Sequence, residues 1–566
     1  MTESKARLLA NIIDNTGDIK STSLDNVSTG LTVYSTLDDL PTSGLTSGQQ
    51  AFVTSANRVY VSNGSGWYSV ALFNATPRLS ISPSGDVTLA VDGSTPTVIT
   101  LTGTDSDNAD ANLVYSVESD GSFANIATLS QDSSVFTITP LAEDSATPGS
   151  STLTFKVSDG VSFGSGTTTF SLTFAPDWST KTEYQITGSA STTQSRFGQV
   201  VDISSDGNYI IVGSAIHNGG TGIAYIFTKS GSSYIEQSVI YSSDLAASDY
   251  YGYKVAINSD GTYAAVSALY EDQGGADAGA VYVFTRSGST WSQQAKLLST
   301  DLAADDGFGY GLAINSDGTY ILVGAPNEDP SSVISGGSAY VFTRSGTSWS
   351  QQAKLVRSPN TTTSSQFGTS CALSDDGSYA IVGAPNNNSG DGNSFIYTRS
   401  GSSWSQQQMI VHSDPTGLNY IGAAVSMNSD GTYVLIGGRT YSSGAYVFTR
   451  SGSTWSQQAK LVSTDKASSD KFGNCLKLNS DASLAVIGAG AYTANQGKAY
   501  VFSRDGTSWT QDLDFTASNV GSTSYFAGGE DQGVSINGTG DKIVVGAPWH
   551  DEDATDAGKV YIYEAG

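Results

Sequence analysis

Over the last two thirds of the chain, short apolar runs alternate with polar punctuation that recurs in a fixed order. From Phe308 to Leu355, FGYGLAINSDGTYILVGAP is followed by a variable stretch and then by GSAYVFTRSGTSWSQQAKL. Runs such as TYILVGA and AYVFT, bounded by Ser-Asp-Gly and Arg-Ser-Gly, predict β-strands joined by tight turns. A Phe-Gly pair or its equivalent opens a copy at Phe197, Tyr251, Phe308, Phe367, Ile421 and Phe472. Asp206, Asp260, Asp317, Asp376, Asp430 and Asp481 follow at a constant offset. A seventh, degenerate copy runs through SINGTGDKIVVGAP, with Asn537-Gly538-Thr539-Gly540 as its turn. A period of about 50–60 residues made only of strands and turns predicts a radial or stacked architecture.

Each copy supplies four strands, so seven copies predict an all-β, seven-bladed β-propeller over residues 181–566. The cut through the repeat is offset. Lys181 to Thr187 matches the Trp-Ser-Gln-Gln-Ala-Lys-Leu strand, whereas the chain stops after Lys559 to Glu564, which matches the Tyr-Val-Phe strand. The first strand is therefore expected to complete the last blade and close the ring without a free edge.

Ahead of the ring the pattern changes three times. Residues 1–30 contain the one stretch with helical spacing, Ser4 to Asp14, with Leu8, Leu9, Ile12 and Ile13 on one face and Gly17 beyond its end. A short apolar helix at a terminus is expected to serve in docking. Residues 31–76 predict a small β module, with strands AFVT and RVYVS and the hairpin turn NGSG, ending in a linker. Residues 77–176 carry short β runs at regular spacing over about the length of an immunoglobulin-like sandwich.

Charge narrows the partners. With 26 Lys+Arg against 53 Asp+Glu, the net charge of −27 argues against nucleic acid, whose phosphates need cations. Acidity of this kind keeps a protein soluble, the more so where salt screens self-repulsion. The two cysteines, Cys371 and Cys475, fall at neighbouring offsets in different copies, so strand alternation points them to opposite faces and no mutual disulfide is expected. No stretch has the apolar core of a signal peptide or the length of a membrane span, so synthesis in a cytoplasm without a signal peptide, and no membrane insertion, are expected.

The recurring Phe-Gly, Ser-Asp-Gly, Gly-Ala-Pro and Trp-Ser-Gln-Gln motifs resemble bacterial FG-GAP repeats, relatives of the integrin α-chain β-propeller. The integrin-type calcium loop needs several carboxylates at alternate positions. Asn315-Ser316-Asp317-Gly318-Thr319-Tyr320 supplies one Asp and closes a hairpin, so the calcium sites do not carry over. LTGTDSDNADANLVYSV and LTFKVSDGVSF resemble cadherin-like and related Ig-like modules. That resemblance implies calcium ligands at Asp105, Asp107 and Asp110, but a single module without a tandem partner favours a solvated turn, and no cofactor or metal is expected. SKARLLANIIDNTGDIKSTSLDNV and STLDDLPTSGLTSGQQAFVTSANRVYVSNGSGWYSVAL look like the leading segments of fibre and other structural proteins of marine tailed bacteriophages.

In a propeller the Ser-Asp-Gly and Arg-Ser-Gly turns share one side, and the loops that vary share the other, where recognition is expected. That variable side carries Glu271, Asp272, Glu328, Asp329, Arg439, Tyr441, Trp549, His550, Asp551 and Asp553 as candidate ligand-binding residues. An aromatic ring beside carboxylates is a sugar-holding arrangement. The repeated Trp291, Trp349, Trp404, Trp455 and Trp509 are expected to pack blades. Histidines are only His217, His412 and His550, and most propeller arginines sit in repeated turns, so no enzyme is expected. The expected function is that of a virion structural protein of a tailed phage, a fibre or appendage. Residues 1–30 would contact other virion proteins, and the propeller would recognise a host cell-surface component such as a glycan. The resemblance implies a homo-oligomer, with trimers common among fibres. A capsid or tail decoration making only particle contacts, and a bacterial surface adhesin, are the alternatives.

Overall fold

The computed structural model describes residues 31–566 apart from 54, 57, 71–75, 90–94, 106–112, 120, 142–148, 161, 173–175, 179, 331–332, 360–362, 415–418, 441–443, 466–469, 520–523, 529–531 and 552–554. The expected docking helix with Leu8, Leu9, Ile12 and Ile13, and the candidate residues Asp107, Asp110, Tyr441 and Asp553, lie outside the described residues. The chain divides into two compact units, Met1–Ala175 and Pro176–Gly566. No helix among the described residues is long and apolar enough to cross a membrane.

In the first unit, Leu31–Tyr34, Ser47–Val53, Arg58–Asn63 and Trp67–Val70 form a four-stranded sheet in that order. The NGSG turn is closed by Asn63, whose side-chain oxygen accepts from the backbone N–H of Ser65 and of Gly66, both at 2.9 Å. Leu40, Ala51, Val53 and Tyr60 form its small core. Two further four-stranded sheets follow. One is ordered Arg78–Ser82, Thr97–Thr104, Val135–Pro140, Ala127–Asp132 and the other Val87–Thr88, Phe163–Leu172, Gly149–Ser158, Val114–Ser119. Thr97–Thr104 alternates strictly between buried and exposed positions. Its Ile99 and Leu101 meet Phe155 and Phe170 of the other sheet in one core, as period-two patterning dictates for two facing sheets.

The second unit contains seven four-stranded antiparallel sheets. Their leading strands, A, are Val200–Ile203, Tyr251–Ile257, Gly311–Ile314, Cys371–Leu373, Ala424–Met427, Phe472–Leu478 and Val534–Ile536. Strands B, C and D follow outward in chain order. Each A strand packs on the next, and the seventh packs on the first, so the arrangement is a closed β-propeller. The seventh sheet takes its outer strand from the start of the unit. Lys181–Ile186 pairs antiparallel with Lys559–Ala565, from Lys181 opposite Ala565 to Ile186 opposite Val560. Apolar cores lie between successive sheets. Val281 and Val283 of the second meet Leu312 and Val323 of the third, and Val212 of the first meets Val544 and Val560 of the seventh.

The motif glycines exist for this close approach. Gly368 of a Phe-Gly pair sits at φ +104°, and a Cβ on Gly324, from the Gly-Ala-Pro of the preceding sheet, would lie 1.8 Å from the Gly368 carbonyl oxygen. The same contact closes the ring, where a Cβ on Gly546 would lie 1.9 Å from the oxygen of Gly198. No side chain fits either place, so the two glycines that recur in the sequence touch each other across every such junction that keeps both.

The repeated polar residues are taken up in the same joints. In Trp-Ser-Gln-Gln, the tryptophan N–H donates to the second glutamine of the preceding sheet: Trp291 to Gln237, Trp349 to Gln294, Trp404 to Gln352, Trp455 to Gln407 and Trp509 to Gln458, all at 2.8–2.9 Å. The first glutamine accepts a backbone N–H from the loop before it, as Gln293 does from Ser243 at 2.9 Å and Gln351 from Thr300 at 3.0 Å. Each Arg-Ser-Gly arginine bonds the carbonyl of its own Ser-Asp-Gly turn, Arg286 Nε to Gly261 O at 2.7 Å for one. It also lies over a tyrosine of the preceding sheet, Arg286 on Tyr209 at 4.2 Å and Arg344 on Tyr263 at 4.3 Å. At the first–seventh junction Lys229 and Lys542 occupy the arginine and tyrosine positions, and Glu564 joins them as an ion pair, 2.5 Å from Lys229 and 3.4 Å from Lys542.

The A–B turns complete the circle through the backbone. Ser259 N donates to Ser316 O, Ser316 N to Asp375 O, Asp375 N to Ser429 O, Ser429 N to Ser480 O, Ser480 N to Gly538 O and Gly538 N to Ser205 O, with Asp206 N to Ser259 O as the last link. A double-mutant cycle on Trp404→Phe and Gln352→Ala is expected to give a coupling free energy of about 1 kcal/mol in thermal or denaturant unfolding. Additive effects would contradict the joint.

Candidate functional site

The axis of the ring is a cavity of about 160 Å³ lined by matching residues of all seven A strands, among them Ile203, Ile257, Ile314, Leu373, Met427, Leu478 and Ile536. Its one prominent charge pair is satisfied. Asp202 accepts from Ile257 N at 3.1 Å, Ser535 Oγ at 2.8 Å and Lys477 Nζ at 3.3 Å. Cys371 lines the wall, and burial pushes its thiol well above the usual range, which disfavours the nucleophilic thiolate. Both cysteines are free. Among the described residues, no group of three His, Cys, Asp or Glu side chains is placed to hold a metal ion.

The acidic loops differ from the expectation of an exposed binding surface. Glu271 and Glu328 are buried, and each is clamped to a lysine of its own sheet that also holds an aspartate before that sheet: Lys296 lies 2.6 Å from Glu271 and 2.7 Å from Asp244, and Lys354 lies 2.8 Å from Glu328 and 2.6 Å from Asp301. A buried carboxylate needs such a partner. His550 stands at the equivalent position, also buried, with Nε2 3.1 Å from Asn519 O. The next residue in each loop caps its own backbone. Asp272 accepts from Asp277 N at 2.9 Å, Asp329 from Ser335 N at 2.7 Å and Asp551 from Asp556 N at 2.8 Å. Glu271 and Glu328 thus belong to the scaffold, whereas Asp272, Asp329 and Asp551, in register with one another, remain exposed on the loop side. Aligning YED, NED and WHD by position would have revealed the register.

The exceptions to the repeat are aromatic and cationic. The residue before each Phe-Gly adopts a left-handed φ: Arg196 at 52°, Tyr250 at 54°, Gln366 at 55°, Tyr420 at 52°, Lys471 at 56° and Tyr525 at 50°, with Gly307 as the only glycine in the set. A left-handed non-glycine residue is strained by about 1 kcal/mol; the conformation recurs in every sheet, so it belongs to the repeat, while the side chain it carries differs from sheet to sheet. The residues just after Phe-Gly, Gln199, Tyr253, Tyr310, Thr369, Ala423, Asn474 and Gly528, flank this ring. Neither set contains an Asp or Glu.

Two clusters stand out within it. Tyr250 meets Tyr270 with ring centroids 5.0 Å apart, and Tyr253 meets Tyr310 at 5.3 Å, over Ala215 and Leu269. Tyr270 is 39% exposed. Exposed Arg439, from the fifth sheet, reaches past the fourth to donate to Tyr310 Oη at 3.1 Å. At the first–seventh junction, the Arg196 guanidinium lies 3.8 Å from the centre of Trp549, which in turn packs on Tyr525 at 5.7 Å. Of the expected site residues, Arg439 and Trp549 thus fall in this aromatic–cationic ring. Sequence reasoning missed the tyrosines because Tyr250, Tyr253 and Tyr310 adjoin Phe-Gly and passed as repeat residues.

One acid departs from its usual range. Asp306 is buried, and burial, with Glu328, Asp301 and Asp329 nearby, pushes its carboxyl up to about 6 although Ala303 N donates to it at 2.7 Å. The folded state then binds a proton that the unfolded chain releases near 3.8, so this group favours folding most below that pH and its contribution is lost as pH rises through 6. Asp306→Asn is expected to raise stability at pH 7 by an amount on the order of 2 kcal/mol, and to change little at pH 4, in thermal unfolding at the two pH values.

A family model described as FG-GAP repeat matches residues 234–284, 291–342, 349–397, 455–502 and 509–563. Among solved structures, Kuenenia stuttgartiensis hydrazine synthase is similar at 10% identity with a TM-score of 0.41, covering 61% of this chain and 91% of that one. Saccharomyces cerevisiae Sqt1 is similar at 11% identity with a TM-score of 0.38, covering 68% and 98%. At those scores neither bears on function. No curated protein sequence gave a significant match. The residues that meet in the joints are those of the matched motif: five stretches of the second unit match the FG-GAP repeat model, and that unit is a β-propeller.

Proposed function

We propose that this chain is a non-enzymatic attachment protein of a tailed-phage particle, and that it binds a host cell-surface component through the loop side of a seven-bladed propeller. The cyclic packing of seven A strands supports the blade count. The two facing sheets of residues 78–172 support an Ig/cadherin-like sandwich as the spacer. The particle assignment rests on the resemblance of the first 75 or so residues to phage fibre segments.

The observation that carries recognition is the ring of left-handed side chains, Arg196, Tyr250, Gln366, Tyr420, Lys471 and Tyr525. Rigid sheets hold these side chains in strained positions on one side, where they differ from sheet to sheet, and every repeated polar motif is already engaged elsewhere. Aromatic faces with adjacent donors suit weak, multivalent contact with saccharide, and copy number would supply avidity. The histidines support a non-enzymatic reading. His217 contacts Ser195 at 3.3 Å, His412 faces Asp391 at 3.5 Å and His550 meets Asn519, each in its own loop.

Tyr420→Ser and Tyr310→Ser, alone and combined, are expected to weaken binding of the purified chain to host cells by about tenfold or more with unchanged melting temperature. Unaltered cell binding, with binding only to particles lacking the protein, would favour a decoration role instead.

A further inference from the structure

We infer that the ligand of the loop side is an acidic saccharide, one whose sugar rings carry carboxylate or sulfate; this rests on the recognition reading above and specifies its ligand class. The arginines of the second unit fall into two groups. Eight lie beyond residue 180. Arg286, Arg344, Arg399, Arg450 and Arg504 are bonded to turn carbonyls on the other side of the ring. Arg357 is buried, with Nε on Ser365 Oγ at 2.8 Å and a second nitrogen on Pro359 O at 2.6 Å. The remaining two, Arg196 and Arg439, both stand on the loop side, and each touches an aromatic ring.

The placement of individual donors points the same way. The chain carries 53 acids against 26 bases, yet the two sets of residues flanking Phe-Gly contain Arg196 and Lys471 and no acid, and Arg439 leans over them from the fifth sheet. The loops behind these positions are acidic, with Asp272, Asp329 and Asp551 exposed, so Arg196, Arg439 and Lys471 are isolated cationic donors in an acidic surround. The Arg196 guanidinium makes no side-chain hydrogen bond among the described residues, in contrast to Arg286, which makes three. A planar guanidinium beside an aromatic face matches a sugar that presents a C–H face and, at its edge, a carboxylate or sulfate that accepts two parallel N–H donors. A neutral sugar would leave those donors facing only hydroxyls. The acidic scaffold around the ring would repel an anion, which limits binding to ligands that can reach these cations and makes it sensitive to salt.

The test uses the full chain and three immobilised probes of equal length: oligogalacturonate, a sulfated galactan oligosaccharide and a neutral agarose oligosaccharide. The expected result is tighter binding to one or both acidic probes than to the neutral one by about tenfold or more, weakened by salt. Arg439→Ala and Arg196→Ala should each remove most of that preference while melting temperature is kept; Arg439, exposed, keeps the test valid if Arg196→Ala unfolds the chain. Which acidic probe is preferred identifies carboxylate or sulfate as the recognised group. Equal binding to all three probes, or an acidic preference untouched by Arg439→Ala, overturns the inference and leaves the recognition reading standing. Binding to host cells with no binding to any probe overturns the saccharide assignment alone, whereas no binding to cells or probes overturns both.

Discussion

The pairing of Lys181–Ile186 with Lys559–Ala565 is the contact on which the rest of the propeller depends. A row of twisted four-stranded sheets would otherwise end in two exposed faces and an unfinished edge. With the ends joined in one sheet, every core between sheets has a partner, and the circle of backbone bonds through the A–B turns can close. The junction between the first and seventh sheets is also where the repeat is most altered. The arginine-on-tyrosine stack gives way to the Lys229, Lys542 and Glu564 ion pair, and that ion pair, like the strand pairing, links the two ends of the unit.

Closure divides the labour between the two sides of the ring. The turn side is mechanical: Ser-Asp-Gly, Arg-Ser-Gly and the glutamines are fully engaged, and their chemistry is the same in successive sheets. On the loop side the same scaffold holds a residue in a left-handed conformation ahead of each Phe-Gly, and these residues differ. Rigid joints are what make such strain sustainable, because the backbone around each position is fixed by bonds such as Tyr250 N to Gly220 O and Tyr525 N to Asn495 O.

Much of this was legible in the sequence. Strand boundaries followed the period-two runs and their turn residues, and the offset of the repeat foretold the strand that completes the seventh sheet. The tryptophans read correctly as packing residues, because one per copy at a fixed place is a structural signature. Their glutamine partners were not legible, since the bond runs between sheets about 50 residues apart, a distance that local patterning does not encode. The acidic loops misled for a related reason. Glu271 and Glu328 look solvent-facing in a polar loop, and only the spatial return of Lys296 and Lys354 shows why they are buried. The left-handed tyrosines were hidden because φ is a property of the fold and leaves no mark on composition when the residue is not glycine.

The closure is tested most directly by hydrogen exchange of the full chain across residues 559–565, before and after replacing residues 181–186 with a Gly-Ser stretch. Residues 559–565 are expected to exchange as slowly in the native chain as the equivalent inner strand Ala280–Ser287, and the replacement is expected to remove protection selectively from the amides that face 181–186. Protection of those amides that survives the replacement would contradict a ring closed by the strand at 181–186.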